Sequence, residues 1–596
     1  MEIVVFYQSI YTNLERKKSM KKLMLGNEAV ARGLYEAGVK VVSSYPGTPS
    51  TEITEKVAKY DEIKAEWAPN EKVACEVAIG ASIAGARSFC AMKHVGLNVA
   101  ADPLFTVAYS GVTGGLVIGV SDDPGMHSSQ NEQDSRHYAI AAKIPMLEPS
   151  DSSECKEFAK LAFEISEKFD TPVLLRLSTR ISHSQSIVQL CDRNEVGLKE
   201  YVKNPQKYVM MPAYARGRHV VVEERTKKLT EYAENTPLNT VEYGDTKIGV
   251  ICSGTSYVYA KEALGDNASY LKLGLVNPLP VDLIKDFASK CDTVYVLEEL
   301  EDIIETHCKK NGINVIGKEK FTYIGEYSQN LIAEKILGKK IETKQFEENV
   351  PIRPPVMCAG CPHRGLFYTL AKHKVSVSGD IGCYTLGAVA PLNSMDTTIC
   401  MGASISGLHG INKARGKESE EKWVAVIGDS TFIHSGVTGL INVAYNATNS
   451  TVIILDNSIT GMTGHQQNPT TGYNLKGDPA SKINLEQLCH AVGIERVRVC
   501  DPYDLKETEK AVVEEMAIDE PSVIISRRPC ALLKYVKHSA PLVVDNNKCI
   551  GCKACIKLGC PAISIKDGKA TIDTTQCTGC GLCEQVCPVG AIGGRK

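Results

Sequence analysis

Two β-like runs between residues 423 and 465 each end in side chains able to hold a hard cation. WVAVIGDS closes its apolar run (424–427) with Gly428, Asp429 and Ser430, and STVIILDNSITGMTGH closes residues 451–455 with Asp456 and Asn457. Residues 436–447 have the spacing of a crossover helix, so the unit is βαβ with both donors on one rim of a parallel sheet. A carboxylate and an amide oxygen on one rim suit Mg²⁺, which completes its octahedron with phosphate oxygens. The neighbouring glycines let backbone N–H groups approach a diphosphate. The competing reading is a plain crossover whose Gly and Asp only shape turns.

Thiols carry the second chemistry. The chain has 22 cysteines in 596 residues, clustered in C-x-x-C spacings. In a large α/β chain that pattern points to metal or iron–sulfur ligation in a reducing cytoplasm, not to a disulfide scaffold. Cys549-x2-Cys552-x2-Cys555-x4-Cys560-Pro is followed by Cys577-x2-Cys580-x2-Cys583-x3-Cys587-Pro. Such duplicated runs bind two 4Fe–4S clusters, the fourth cysteine of each crossing to the other. One cluster then takes Cys549, Cys552, Cys555 and Cys587, and the other Cys577, Cys580, Cys583 and Cys560. The extra residue before Cys560 is a local bulge that leaves ligation unchanged; zinc knuckles are the alternative. Upstream stand Cys358-x-x-Cys361-Pro-His363, Gly382-Cys383 and Pro529-Cys530, while Cys400, Cys489 and Cys500 lie in apolar surroundings and read as core.

These residues need a scaffold of several domains, about three to five for this length. Residues 21–185 alternate helix-like and strand-like segments: GNEAVARGLYEAGVK, VVSSYPGTPS, a small-residue helix at 71–86, and strands at 115–120 and 172–177. That is a doubly wound α/β domain. Its turn Tyr45-Pro46-Gly47-Thr48-Pro49-Ser50 offers the Thr48 hydroxyl at a strand's C-terminal end, where open sheets bind ligands. A ligand-free Pro-Gly turn reads equally well. Residues 186–240 are charged and irregular. A small α/β domain follows, with strands at 248–252 and 293–297, and the Pro-rich 348–355 marks a boundary. A net charge of −3 without a polybasic block speaks against nucleic acid, and no apolar run approaches a membrane span. Residues 1–19 have their basic residues after a short apolar start, the reverse of a signal peptide, and read as an N-terminal extension.

Gly428-Asp429-Ser430 with Asn457 resembles the thiamine-diphosphate (TPP) signature, normally Gly-Asp-Gly and a later Asn; Ser430 is a departure. The resemblance implies that Asp429 and Asn457 bind Mg²⁺ with the Ile459 carbonyl, and that Gly428, Ser430, Gly461 and His363 lie along the cofactor. The Pro-x-Thr-Pro-Ser turn followed by NEKVACEVAIGASIAGAR resembles the pyrimidine-binding domain of the 2-oxoacid:ferredoxin oxidoreductases. It implies a catalytic glutamate against the aminopyrimidine N1′ at Glu71, with Glu76 the fallback, and a role for Thr48. Lys93, His94, His127 and residues 128–134 are candidates for the substrate mouth. In the same family a C-x-x-C, a Gly-Cys and a Pro-Cys bind a third, proximal 4Fe–4S cluster, here Cys358, Cys361, Cys383 and Cys530. Structural zinc or free thiols are the other readings, and His465 is a further candidate near the diphosphate.

The resemblance runs from about Met20 to the C-terminus. It implies an α/β multidomain chain: a TPP pyrimidine-binding domain (20–190), a linker region (191–240) and a transketolase-C-terminal-like domain (241–345), with NPLPVDLIKDF in the last. A TPP diphosphate-binding domain with the proximal cluster (355–538) and a bacterial-type 2×(4Fe–4S) ferredoxin domain (540–596) complete it. RPPVMCAGCPHRG and the x4 variant resemble the branch acting on arylpyruvates such as indolepyruvate. Implied partners are coenzyme A, a soluble ferredoxin and a separate smaller beta subunit supplying the missing gamma-type domain, in the cytoplasm. Three rivals stay open. The same chemistry on pyruvate, 2-oxoglutarate or a branched-chain oxoacid differs only in the pocket. An electron-transfer subunit with a degenerate TPP fold predicts protein without thiamine. Non-oxidative decarboxylation predicts free aldehyde without an electron acceptor.

Overall fold

The computed structural model describes residues 20–340, 342, 350–351 and 354–594; the expected extension 1–19 lies outside the described residues. The chain divides into two compact units at residues 345/346.

In the first unit, Leu116–Asp122 (LVIGVSD) is buried at every position, as befits a parallel strand covered on both faces. Across its sheet run Lys64–Trp67, Val41–Ser44, Ser88–Lys93, Leu116–Asp122, Val173–Ser178 and Met146–Leu147, all parallel, and then Leu275–Asn277 antiparallel. Counted in chain order, the six parallel strands read 2-1-3-4-6-5. The direction of winding reverses between Val41–Ser44 and Ser88–Lys93, which makes their carboxyl ends the switch point where such sheets bind ligands.

A smaller sheet packs in the same unit. Thr293–Leu297, Ile248–Cys252 and Ser269–Lys272 are parallel, with Thr240–Glu242 antiparallel at the edge. Leu275–Asn277 then leaves this segment to join the large sheet, so a backbone ladder ties the two together. Buried Arg136 reinforces the join, with Nη2 2.5 Å from Asp134 and Nη1 2.6 Å from Glu298. Residues 191–240, expected as a linker region, include the 24-residue helix Pro212–Asn235. Val222, Leu229 and Ala233 are buried on it, and Arg225 donates to the carbonyls of Asp170 (2.8 Å) and Ala108 (2.7 Å). Its remaining faces are charged, which is why the segment reads as loose.

The second unit repeats the first unit's plan. Thr397–Thr398, Ser376–Gly379, Trp423–Gly428, Thr451–Asp456, Ser522–Arg527 and Arg496–Cys500 are all parallel and again read 2-1-3-4-6-5. Its switch point is therefore framed by the loop after Gly379, which carries Cys383, and the loop after Gly428, which carries Asp429. The expected crossover helix at 436–447 starts earlier. A helical turn begins at Asp429, passes through a π-helical turn at Phe432–Gly436 and continues as Val437–Tyr445. Such π turns recur at functional sites.

The C-terminal tail forms two small antiparallel pairs, Val543–Val544 with Ile592–Gly593 and Ile563–Lys566 with Lys569–Ile572. It packs on the large sheet's helices within the second unit. Leu558 and Leu582 share an apolar cluster with Leu505, Tyr368 and Tyr503, and Gln585 bonds the Leu505 amide (3.0 Å) and the Tyr503 carbonyl (2.7 Å).

Candidate active site and cluster cradle

Gly428 ends its strand against Tyr384: a Cβ there would lie 2.8 Å from the tyrosine ring. The next residue, Asp429, is 2 % exposed. Its Oδ1 accepts from the Ser430 amide (2.7 Å) and its Oδ2 from the Thr470 hydroxyl (3.2 Å). Burial, with the charge of Asp456 second, pushes its carboxyl up to about 7. The Asn457 side-chain amide lies against Asp429 Oδ1 (3.3 Å) and the Ile459 carbonyl (2.7 Å), and its nitrogen donates to both. Turned over, it presents its oxygen beside the carboxylate and the carbonyl, a hard donor set that fits Mg²⁺. Ser430 Oγ accepts from the Thr460 hydroxyl at 2.9 Å, so the departing residue joins the same rim.

Gly461 links this corner to the thiols, since a Cβ on it would sit 3.6 Å from Cys383 Sγ and 3.8 Å from Asn457 Nδ2. The Asn457 carbonyl also accepts from the Cys530 amide at 2.9 Å. Burial pushes Cys383 up to about 11, helped by Cys530 and Cys358. Burial likewise raises Cys361 to about 12, with Cys358 and Cys383 adding to it. The fold therefore gathers Cys358, Cys361, Cys383 and Cys530 from distant positions. His465 Nε2 is 3.7 Å from Cys530 Sγ. His363 is buried, its pKa lowered to about 4 by desolvation, and it packs edge-on against Tyr384 at 5.9 Å. The same Tyr384 ring meets Gly428 at the rim. Cys489 and Cys500 are buried, but Cys400, expected in the core, is exposed on the turn before Ala403–Arg415.

In the tail, Cys549, Cys552, Cys555 and Cys587 line one cavity, and Cys560, Cys577, Cys580 and Cys583 line another. Backbone amides point at the sulfurs: Ala591 at Cys587 (3.2 Å), Leu542 at Cys577 (3.4 Å) and Ala570 at Cys549 (3.5 Å). Among the described residues no three His, Cys, Asp or Glu close on a single ion. A cubane is a larger body and needs its thiolates spread around it.

At the first unit's switch point, Lys93 Nζ donates to the Ser128 carbonyl (3.0 Å), and the Ser128 hydroxyl donates to the Thr48 carbonyl (3.4 Å). Burial lowers the Lys93 pKa against the pull of Asp123 and Glu71. Glu71, at the N-terminus of Glu71–Ile83, is 5 % exposed, and a Cβ on Gly96 would lie 2.7 Å from its Oε1. Glu76 is half-exposed and paired with Lys72. His94 is buried beside Lys93 with its pKa lowered by burial, whereas His127 is exposed and pairs with Glu326 at 2.8 Å. Of the polar run 128–134, Asp134 belongs to the buried Arg136 cluster. Gly96, Thr470 and Tyr384 carry no motif; only a glycine following Lys93-His94 at a strand's end hints at the first.

Residues 32–245 match the family model "Pyruvate flavodoxin/ferredoxin oxidoreductase, thiamine diP-bdg". Residues 380–526 match "Thiamine pyrophosphate enzyme, C-terminal TPP binding domain", and residues 570–593 match "4Fe-4S binding domain". These define a TPP-binding oxidoreductase chain with an iron–sulfur tail. The chain is 41 % identical to the indolepyruvate oxidoreductase subunit IorA of Archaeoglobus fulgidus, over 96 % of its length and 97 % of the relative's. It is 43 % identical to that of Pyrococcus horikoshii, over 97 % of each. The 2-oxoglutarate synthase subunit KorA of Archaeoglobus fulgidus is 26 % identical over 46 % of this chain and 87 % of its own. This chain belongs to the indolepyruvate oxidoreductase subunit IorA family.

Proposed function

We propose that the chain is the catalytic subunit of a ferredoxin-dependent arylpyruvate oxidoreductase. Indolepyruvate, coenzyme A and oxidised ferredoxin become indole-3-acetyl-CoA, CO₂ and reduced ferredoxin. The observation that carries it is the nearly full-length identity with proteins named for indolepyruvate, on a chain that joins the oxygen corner of Asp429, Asn457 and Ile459 to three sets of four cysteines.

Bound TPP supplies a carbon nucleophile and an electron sink for decarboxylation of a 2-oxoacid. Asp429, Asn457 and the Ile459 carbonyl would hold Mg²⁺ on its diphosphate, with Gly428, Ser430 and Gly461 along that edge. Glu71 would hold a proton at the aminopyrimidine N1′, and buried Glu71 suits this better than the half-exposed Glu76. Thr48 would act at the same switch point, with Lys93 at the rim. Cys358, Cys361, Cys383 and Cys530 would hold a proximal 4Fe–4S cluster, and Cys560, Cys577, Cys580 and Cys583 a second, in a cavity that Ala359 and Gly360 of the proximal loop also line. Cys549, Cys552, Cys555 and Cys587 would hold the third, and such clusters would supply one-electron acceptors toward ferredoxin. A smaller beta subunit and a cytoplasmic setting complete the reading; among the described residues no helix is long and apolar enough to cross a membrane.

The test is anaerobic reduction of a viologen dye by the chain with its candidate beta subunit. Indolepyruvate, phenylpyruvate, pyruvate and 2-oxoglutarate would be supplied in turn, with and without coenzyme A. CoA-dependent reduction fastest with indolepyruvate is expected. Faster reduction with pyruvate or 2-oxoglutarate would overturn the aryl assignment, and no reduction with iron intact would overturn the enzyme reading.

A further inference from the structure

One buried cation stands between two of the cysteine sets. Arg364 lies in the first turn of His363–His373 and is 2 % exposed. Its Nη2 donates to the carbonyls of Met357 (2.7 Å) and Cys358 (2.9 Å), in the C-x-x-C loop. Its Nη1 donates to the Leu558 carbonyl (2.7 Å), two residues before Cys560 in the tail. Its Nε is buried without a partner. Every partner is therefore a neutral carbonyl, and no carboxylate offsets the charge among the described residues. A buried cation without an anion is costly.

The anions that would offset it are thiolate-bound clusters on either side. Arg364 lines the cavity of Cys560, Cys577, Cys580 and Cys583, and on the other side it holds the carbonyl of Cys358 itself. The cavity of Cys549, Cys552, Cys555 and Cys587 is lined only by tail residues. We propose that Arg364 is a positioning residue whose fixed charge raises the reduction potentials of two clusters together: the one on Cys358, Cys361, Cys383 and Cys530, and the one on Cys560, Cys577, Cys580 and Cys583. This rests on the reading above that both sets carry clusters. Each reduction adds one negative charge beside the guanidinium, so the cation favours the reduced state of both neighbours and steadies the step between them. A planar fork can hold carbonyls of two segments at once, which an ammonium cannot do with the same fixed geometry.

The experiment is an anaerobic potentiometric titration followed by EPR on the full-length, iron-loaded protein, with Arg364→Gln and Arg364→Lys beside it. In Arg364→Gln two of the three midpoints should move to more negative values while the third, that of Cys549, Cys552, Cys555 and Cys587, stays. In Arg364→Lys the same two should move the same way by less. Should the glutamine variant lose iron, the lysine variant decides alone. Three unmoved midpoints in an iron-complete variant, or three that move together, would overturn the proposal. Iron and sulfide content of the wild type separates the two levels. Fewer than three clusters there would sink the cluster reading itself, whereas three clusters with unmoved midpoints would sink only the role of Arg364.

Discussion

Asp429 Oδ1 and the Asn457 side-chain amide meet at 3.3 Å across the rim of the second sheet, with the Ile459 carbonyl closing the corner. The Asp429 carboxyl, held near 7 against an ordinary 3.8, retains its proton far longer in the folded chain than in the unfolded one. Its contribution to stability is therefore full below about pH 4, falls as pH rises toward 7, and is level above that. A divalent cation must displace this proton. Mg²⁺–TPP affinity, read by calorimetry, should rise about tenfold per pH unit below pH 7 and flatten above it. Asp429→Asn should abolish both the binding and its pH dependence; a wild-type affinity that is flat from pH 5 to 8 would refute the assignment.

Glu71 and Gly96 meet so closely that any side chain at 96 displaces the carboxylate. Glu71→Gln should retain TPP by fluorescence titration while turnover falls about 10²–10⁴-fold. Gly96→Ala should cost about 10²-fold by shifting the same group. Full activity in Gly96→Ala would show that Glu71 is not placed by this contact.

Cys383→Ser should remove the proximal set and about a third of the iron, leaving both tail clusters visible by EPR. Loss of all iron, or of none, would contradict the separation into three sets.

Arg136 joins the large sheet to the smaller one through Asp134 and Glu298, all buried. Arg136→Met removes the ion pair of buried Glu298, leaves Asp134 with Arg176 alone at 3.6 Å, and should cost about 3–5 kcal/mol in denaturant unfolding of the first unit's transition. A change within experimental error would mean that the carboxylates take up protons instead.

The two tail thiol runs and the Asp429–Asn457 rim are legible in the sequence because their signals are local: fixed cysteine spacing, and an acidic or amide residue directly after a β-branched run; Cys383 and Cys530 follow only from the family resemblance. Ile248–Cys252 and Thr293–Leu297 were legible to the residue for the same reason. What stayed hidden depends on tertiary placement. Leu275–Asn277 looks like any short apolar run and gives no sign that it pairs in another sheet. The helical start at Asp429 is masked by Ser, Thr and His, whose local hydrogen bonding usually marks turns. Cys400 has apolar neighbours in sequence yet ends at the surface. Arg364 and Gly96 follow no spacing rule, since each is defined by what lies opposite it. The shared 2-1-3-4-6-5 order of the two sheets has no counterpart in matching motifs, because strand order leaves no residue signature.

The tail's seat on Leu505, Tyr368 and Tyr503 anchors it to the second unit's helices. Electrons crossing from the thiamine rim toward Cys560 would travel a path of constant length, with no domain excursion to wait for. Thickening the solvent with sucrose should therefore leave the internal transfer untouched and slow only the visits of the external carrier. For the same reason, cutting the chain near residue 540 would not free a working carrier. It would unroof an oily floor on one piece and strip the other of its footing.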